Sequence, residues 1–408
     1  MNPQFFVFGG LLVVNMGFTS VNPVLAPLAR ELNFSEVQAG FLISISALAF
    51  TLFSSPWGRQ SEVWGRKPVF LLGLMGFGFG FALFGGVAQL GLAGWFSVPV
   101  LLALLALARF SVGALTAAAP VAAQAYIADT TRGKERSAGI ALLGAANGLG
   151  LIAGPMLAAA LVGFGLLVPY YVMAAVAFLG AFIVWRGFPA GERPAAAKAR
   201  ATAPAKVSLR DGRVWPFLLV GFLTLVALVT AHVTAGFYFQ DKLGLTSEGS
   251  ARAVGLALFA SGVAIVVAQA GIIRALKPEP VTLLRLGLPL TLVSFILMAL
   301  APTLTLLVVA YTLLGFGVGF ILPGYISGAS LAVGEHEQGA VAGLVGVAQG
   351  FGSVLGPLLG TTLYTFGVTL PYVLVTVLLL ACTAFVWSRW MLVSPLLGDK
   401  APTPETHR

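Results

Sequence analysis

Two ionisable side chains, Arg109 and His232, lie deep inside long apolar stretches of this chain. An arginine held in a low-dielectric interior costs at least ~2.5–3.5 kcal/mol on insertion scales, so it must face a polar cavity or partner groups. One reading makes Arg109 a cavity group that binds anionic moieties or tunes a proton site. The other makes it a brace, hydrogen-bonded to helix carbonyls. His232 stands between Thr230 and Thr234. With an ordinary pKa near ~6.5, it is the one deep group suited to change protonation at working pH; the alternative is a neutral histidine hydrogen-bonded within a bundle. No carboxylate shares this depth. Glu31, Glu36, Asp241 and Glu248 fall at one set of helix ends, and Glu62, Asp129, Glu135, Glu192, Asp211, Glu279, Glu335, Glu337, Asp399 and Glu405 at the other. Glu36, Asp129 and Asp241 are reserve proton carriers at the helix ends, though the simpler reading of Asp129 is an ion-pair partner of Arg132 or Arg136. The neutral polar residues Asn15, Asn22, Ser44, Gln124, Asn147, Tyr238, Tyr325 and Gln349 are candidates to line a cavity walled by Phe, Leu and Val. Such a lining suits a bulky amphiphile.

The elements that must position these groups follow from composition. Of 408 residues, 58% are hydrophobic and 9% charged, against roughly 25% charged in soluble domains. Mean hydropathy is +0.97. Too few polar groups remain to coat a globule in water, which sets aside a soluble enzyme, a nucleic-acid binder and a secreted disulfide scaffold. The single cysteine, Cys382, can form neither an intrachain disulfide nor a cysteine-based metal site. No phosphate-binding loop is present. No cofactor is expected, and no enzymatic activity.

A bilayer-spanning helix takes ~20 apolar residues, and twelve such runs are legible: near 4–28, 36–57, 68–90, 98–128, 137–163 and 168–186, then 215–240, 250–273, 282–300, 304–333, 341–366 and 369–390. They are continuous, whereas the strands of a membrane β-barrel would alternate over ~10 residues. The first run has no Lys or Arg before Arg30 and does not read as a secretory signal. The net charge of +9 is a topology signal. With the N-terminus placed inside, nineteen of the 23 Lys and Arg flank inner ends, and only Arg30, Lys242 and Arg252 lie outside. This bias puts both termini in the cytoplasm. The expected organisation is a six-helix bundle over 1–186, a flexible cytoplasmic linker over 187–213, a second bundle over 214–390 and a tail over 391–408.

The two bundles read as copies. Residues 135–155, ERSAGIALLGAANGLGLIAGP, align with 337–357, EQGAVAGLVGVAQGFGSVLGP. Glu135 falls on Glu337, Asn147 on Gln349, and Gly150, Gly154 and Pro155 on Gly352, Gly356 and Pro357. Membrane composition alone would not place an acid, an amide, a glycine ladder and a Gly-Pro in register. Parallel repeats of this kind place a substrate site at their interface near the midplane. Small residues four apart let helices approach closely, and proline bends a helix. The six residues of this motif therefore read as a tight seam that tolerates rocking, or as ordinary small-residue packing.

Three stretches carry a resemblance over essentially the whole chain: Gly58-Arg-Gln-Ser-Glu-Val-Trp-Gly-Arg-Lys67, Arg109-Phe-Ser-Val-Gly113 with Ala125-Tyr-Ile-Ala-Asp129, and Gly150-Leu-Ile-Ala-Gly154-Pro155. They are similar to the motifs of the major facilitator superfamily, in its branch of twelve-helix drug:proton antiporters that includes the tetracycline exporters. The resemblance implies an all-α membrane protein of two six-helix pseudo-repeats, alternating access and export of drugs, metabolites or siderophores against protons. It also implies a bacterial-type inner membrane and a monomer, with the lipid bilayer, a small molecule and protons as partners. In the first stretch Gly58 and Gly65 permit a tight turn, while Arg59, Arg66 and Lys67 anchor the inner ends or fix topology. Glu62, where the family usually has Asp, can latch the halves in one state. The missing deep acids depart from related exporters. They leave open a facilitator or importer of a small polar metabolite, and tetracycline–metal recognition is not expected. A non-transporting receptor or scaffold would need neither the seam nor Arg109.

Overall fold

The computed structural model describes residues 3–188, 207–334 and 336–389. Most of the expected linker, the tail at 391–408, and Glu192, Glu335, Asp399 and Glu405 lie outside the described residues. Twelve helices are long and apolar enough to cross a membrane, and among the described residues there is no strand.

The first six spans are α1 (Pro3–Glu31), α2 (Glu36–Trp64), α3 (Arg66–Leu92), α4 (Val98–Thr116) with α5 (Ala118–Thr130), α6 (Gly133–Leu161) and α7 (Val168–Gly187). The last six are α8 (Trp215–Leu243), α9 (Ser247–Val266), α11 (Pro280–Leu300), α12 (Leu304–Leu331), α13 (Gln338–Phe366) and α14 (Leu370–Arg389). Between α9 and α11 come a π-helical stretch, Val267–Ile273, and the short α10 (Arg274–Leu276). The run expected at 98–128 is therefore two helices forming one span. Pro120 lacks an N–H and its ring crowds the carbonyl four residues back, at Thr116, so the helix breaks at Ala117.

Local chemistry sets the turns. Ser35 and Gln38 form a reciprocal capping box at the start of α2, with Gln38 N donating to Ser35 Oγ (3.3 Å) and Ser35 N to Gln38 Oε1 (2.9 Å). Gly65, at φ 92°, turns α2 directly into α3, a conformation that a side chain would strain. Successive spans run in opposite directions. One end of the bundle thus carries Arg59, Arg66, Lys67, Arg136 and Arg213, and the other carries Arg30, Lys242 and Arg252. We call these the basic face and the opposite face.

Within the first six spans α1 packs on α6, α2 on α4, and α3 on α4 and α7. Within the last six α8 packs on α13, α9 on α12, and α11 on α12 and α14. The two sets meet along α6–α9, α2–α13 and the α1–α8 contact. Water does not drive these contacts inside a bilayer, so close backbone approach must. A Cβ on Gly154 would lie 2.3 Å from the Met16 carbonyl, and one on Gly113 2.1 Å from the Ser46 carbonyl.

Candidate functional site: a central cleft and its seal

A cleft of about 770 Å³ opens between the two sets of spans. One wall comes from α2, Ile43 to Ser55, and the facing wall from α13, Gly343 to Ser353; α1, α4 and α8 close its deep end with Phe18, Asn22, Arg109, Val229 and His232. Because α2 descends toward the basic face and α13 rises from it, the cleft is reached from the basic face. Its deep end is sealed beyond Asn22 and His232.

Arg109 sits at that sealed end, 4% exposed. Its Nε donates to the Leu42 carbonyl (3.3 Å). Its Nη1 is buried without a partner, and its Cζ lies 6.0 Å from the Phe84 ring centroid. The brace and the cavity reading are thus both partly met: one nitrogen holds α4 to α2 while the residue still lines the cleft. His232 Nε2 is likewise buried without a partner, as is Ser46 Oγ on the same lining. Gln349 reaches the cleft from α13 while its Nε2 donates to the Tyr325 hydroxyl (2.5 Å).

The structure brings together four of the residues singled out from sequence: Asn22, Arg109, His232 and Gln349. It disperses the rest. Asn15 donates to its own helix at the Leu11 carbonyl (2.8 Å) and lies against Gly150. Tyr238 is fully buried and donates to the Met298 carbonyl (2.7 Å), away from the cleft. Tyr325 is also fully buried and touches the site only through Gln349. Gln124 and Asn147 line a second hollow of about 650 Å³ between α5 and α6, with Arg136. Ser44 ties the two sets of spans together, donating to the Val354 carbonyl (2.7 Å).

Asp129 is at the basic face, paired with Arg66 (2.8 Å) rather than with Arg132 or Arg136. Arg66 also donates to Ser61 Oγ (2.5 Å). Lys67 donates to the Trp185 and Phe188 carbonyls (2.9 and 2.5 Å), closing the end of α7 as a cation at a helix C-terminus should. Arg59 and Glu62 are exposed, and Glu62 has no ion pair among the described residues. Gly58 faces Val121 at an ordinary contact distance. In this conformation the motif's bonds stay within the first six spans.

Gly150 and Gly154 turn toward α1, and Gly352 and Gly356 toward α8. Thr19 Oγ1 donates to the Gly150 carbonyl (2.8 Å), and Thr230 Oγ1 to the Gly356 carbonyl (3.0 Å). The prolines face the other way, across the interface. The Pro155 carbonyl lies under Gly255 and the Pro357 carbonyl under Gly40, each 2.8 Å from where a Cβ would stand. These mirrored contacts fix the register of the duplication. Gly154 faces Met16 and Thr19; Gly356, its counterpart, faces Val226 and Val229. So α8 repeats α1 with an offset of 210, and His232 occupies in α8 the place that Asn22 occupies in α1.

The seal at the opposite face was not anticipated. Arg30 of α1 makes a bidentate pair with Asp241 of α8, both bonds 2.7 Å, and also donates to Gln240 (3.0 Å). Glu36 lies 3.5 Å from the same guanidinium, Tyr364 donates to Asp241 (2.7 Å), and the Phe237 ring lies 5.2 Å from the Arg30 Cζ. A signal existed: the duplicated helices α1 and α8 both end in a charged pair, Arg30-Glu31 and Asp241-Lys242.

Twelve membrane-length helices in two repeats, parted at one face around a shared cleft and clamped at the other, make a membrane transporter fold. The chain matches the Major Facilitator Superfamily over residues 7–289 and 279–407 and belongs to it. It is a multi-pass membrane transporter of small molecules and not an enzyme. It is similar to multidrug resistance protein 2 of Bacillus subtilis (strain 168), 25% identical over 90% of each chain. It is also similar to the class B tetracycline resistance protein of Escherichia coli, 28% identical over 86% of this chain and 85% of that one. Among solved structures it resembles a bacterial homologue of the human lysosomal transporter Spinster in an inward-facing, unoccupied conformation. The TM-score is 0.75 at 15% identity, covering 95% and 97% of the two chains.

Proposed function

We propose that the chain exports amphiphilic small molecules from the cytoplasm in exchange for protons, as a monomer in a bacterial-type inner membrane. The two bodies that rock are the six-helix units 1–186 and 214–390, joined by the 187–213 linker, with both termini cytoplasmic. On this reading the basic face is cytoplasmic and the structure is open inward. The observation that carries the proposal is the cleft lined by both repeats, apolar on its walls and polar at its sealed end, which Arg109 and His232 both line. Similarity to multidrug and tetracycline resistance proteins supports the direction of transport. His232 is the proton carrier, Arg109 tunes it, and Asp129, held by Arg66, serves the basic-face end of the motion. Glu62 engages as a latch in the opposite conformation, where the basic face closes.

A second reading keeps one observation in its favour: no carboxylate lines the cleft, which suits a facilitator or importer of a small polar metabolite. Purified protein in proteoliposomes distinguishes the two. With an imposed pH gradient and a panel of dyes, gradient-driven uptake into inside-out vesicles is expected. Flux that ignores the gradient supports the facilitator.

A further inference from the structure

The cleft holds a positive charge with no countercharge. Among the described residues Arg109 is the one charged side chain that is buried. The cleft lining contains no Asp or Glu. The neighbours that reach Arg109 are a carbonyl on Nε, the face of Phe84 and the buried, neutral Tyr170, whose own hydroxyl has no partner, while Nη1 is left without a hydrogen bond. A buried charge with an unsatisfied donor is unfavourable unless an anion meets it. The groups around it are neutral and mostly able to donate: the Ser46 hydroxyl and His232 imidazole, both without partners, and the amides of Asn22 and Gln349. A cationic amphiphile entering this cleft would find no acid to offset the guanidinium.

We infer that the transported molecule is an amphiphile carrying an anionic group, a carboxylate, sulfonate or phosphate, which is paired by Arg109 at the sealed end of the cleft. This rests on the transporter reading and narrows it to a substrate class. The planar guanidinium donates through two parallel N–H bonds to such a group. Ser46, on the same lining, adds a hydroxyl donor. Phe18, Ile43, Phe50, Val229 and Val347 receive the apolar body. The volume, about 770 Å³, is within the range of drug-sized ligand sites. Arg109→Lys keeps the charge but replaces the fork by a point charge, so geometry and charge can be read separately.

The test compares one fluorophore with two tails: dansylglycine, which bears a carboxylate, and dansyl-ethylenediamine, which bears an ammonium. Each is titrated into the full chain in phosphatidylcholine nanodiscs at pH 7. The carboxylate probe is expected to bind at least tenfold more tightly to the unmodified protein. Arg109→Gln removes that preference, and Arg109→Lys leaves part of it. The unmodified protein alone decides the matter should either variant fold poorly: equal affinity for the two tails, or preference for the ammonium, overturns the inference. Adding phosphatidylglycerol identifies the source of the anion, since competition marks a membrane lipid and its absence a dissolved solute. The inference and the exporter reading fail separately. A carboxylate preference without pH-driven flux removes proton-coupled export and leaves the anion site. PH-driven flux with no charge preference does the reverse.

Discussion

Neutralising Asp241 should unclamp the opposite face. The pair it forms with Arg30 is bidentate, but its side chains are 30% and 31% exposed, so water screens it. Two unit charges ~4 Å apart are worth about 4 kcal/mol at an effective dielectric of 20, and about 1 kcal/mol in bulk water. A coupling of about 1–2 kcal/mol is reasonable for this partly exposed, bidentate geometry. Asp241→Asn should therefore shift the ratio of clamped to open conformers by about 5–30-fold. Glu36, 3.5 Å from Arg30, holds back part of the effect, so the Asp241→Asn, Glu36→Gln pair should shift it further. The distance across this face can be read by double electron–electron resonance. Spin labels at Trp95→Cys and Leu300→Cys, both largely exposed and on different repeats, report it in a Cys382→Ser background. Raising ionic strength should weaken the clamp in the parent and not in the variant. A charge swap, Arg30→Asp with Asp241→Arg, should restore the parental distances in part. An unchanged distance distribution in Asp241→Asn, or a swap no better than either single change, would refute the clamp.

Three further outcomes follow from other contacts. Gly154→Ala puts a Cβ 2.0 Å from Thr19 Oγ1 and 2.3 Å from the Met16 carbonyl. It should cost about 1–3 kcal/mol by overpacking, seen as a lower Tm in detergent, while Gly144→Ala, with nothing within 4 Å, should leave Tm unchanged. At the basic face Arg213 binds Asp211 (2.8 Å) and Glu337 (2.9 Å), and its guanidinium holds both carboxyls below their ordinary values of 3.8 and 4.5. Their contribution is complete above those ordinary values and is lost as pH falls through the depressed ones. Protection from hydrogen exchange at 207–214, taken relative to the unstructured rate at each pH, should fall as the pH drops below those ordinary values, and Glu337→Gln should remove part of that pH dependence. If His232 carries the proton, His232→Asn should retain dye binding but lose the response of flux to an imposed pH gradient; an intact response would assign the proton elsewhere.

Much of the fold was readable from the chain because bilayer chemistry leaves few options: a backbone in lipid must satisfy its own hydrogen bonds, so each apolar run is a helix. The break at Ala117 was less visible, since Pro120 falls within an otherwise continuous run. The cleft was legible where charge made it so. Arg109 and His232 stood out as ionisable groups at depth, and both line it. Asn15, Tyr238 and Tyr325 were not separable from Asn22 and Gln349, because a polar side chain at a given depth can face a cleft, a neighbouring helix or its own backbone. Only the rotation of each helix decides, and that is set by the glycine contacts of α6 on α1 and α13 on α8. The opposite-face clamp escaped for a related reason: Arg30 and Asp241 lie 211 positions apart and meet only when α1 and α8 converge.

Asn22 and His232 occupy one address in two copies of the same helix. Gene duplication therefore supplied this transporter with a matched pair of positions facing a common space, and only one of them acquired a chargeable group. The scaffold is twofold in shape but single-handed in chemistry. Exchanging the two residues, Asn22→His with His232→Asn, would move the titratable ring to the other side of the pseudo-axis while leaving the composition of the chamber as it was. If His232 carries the proton as proposed, divergence between twins, rather than invention of a new element, would give a symmetric frame a directional duty.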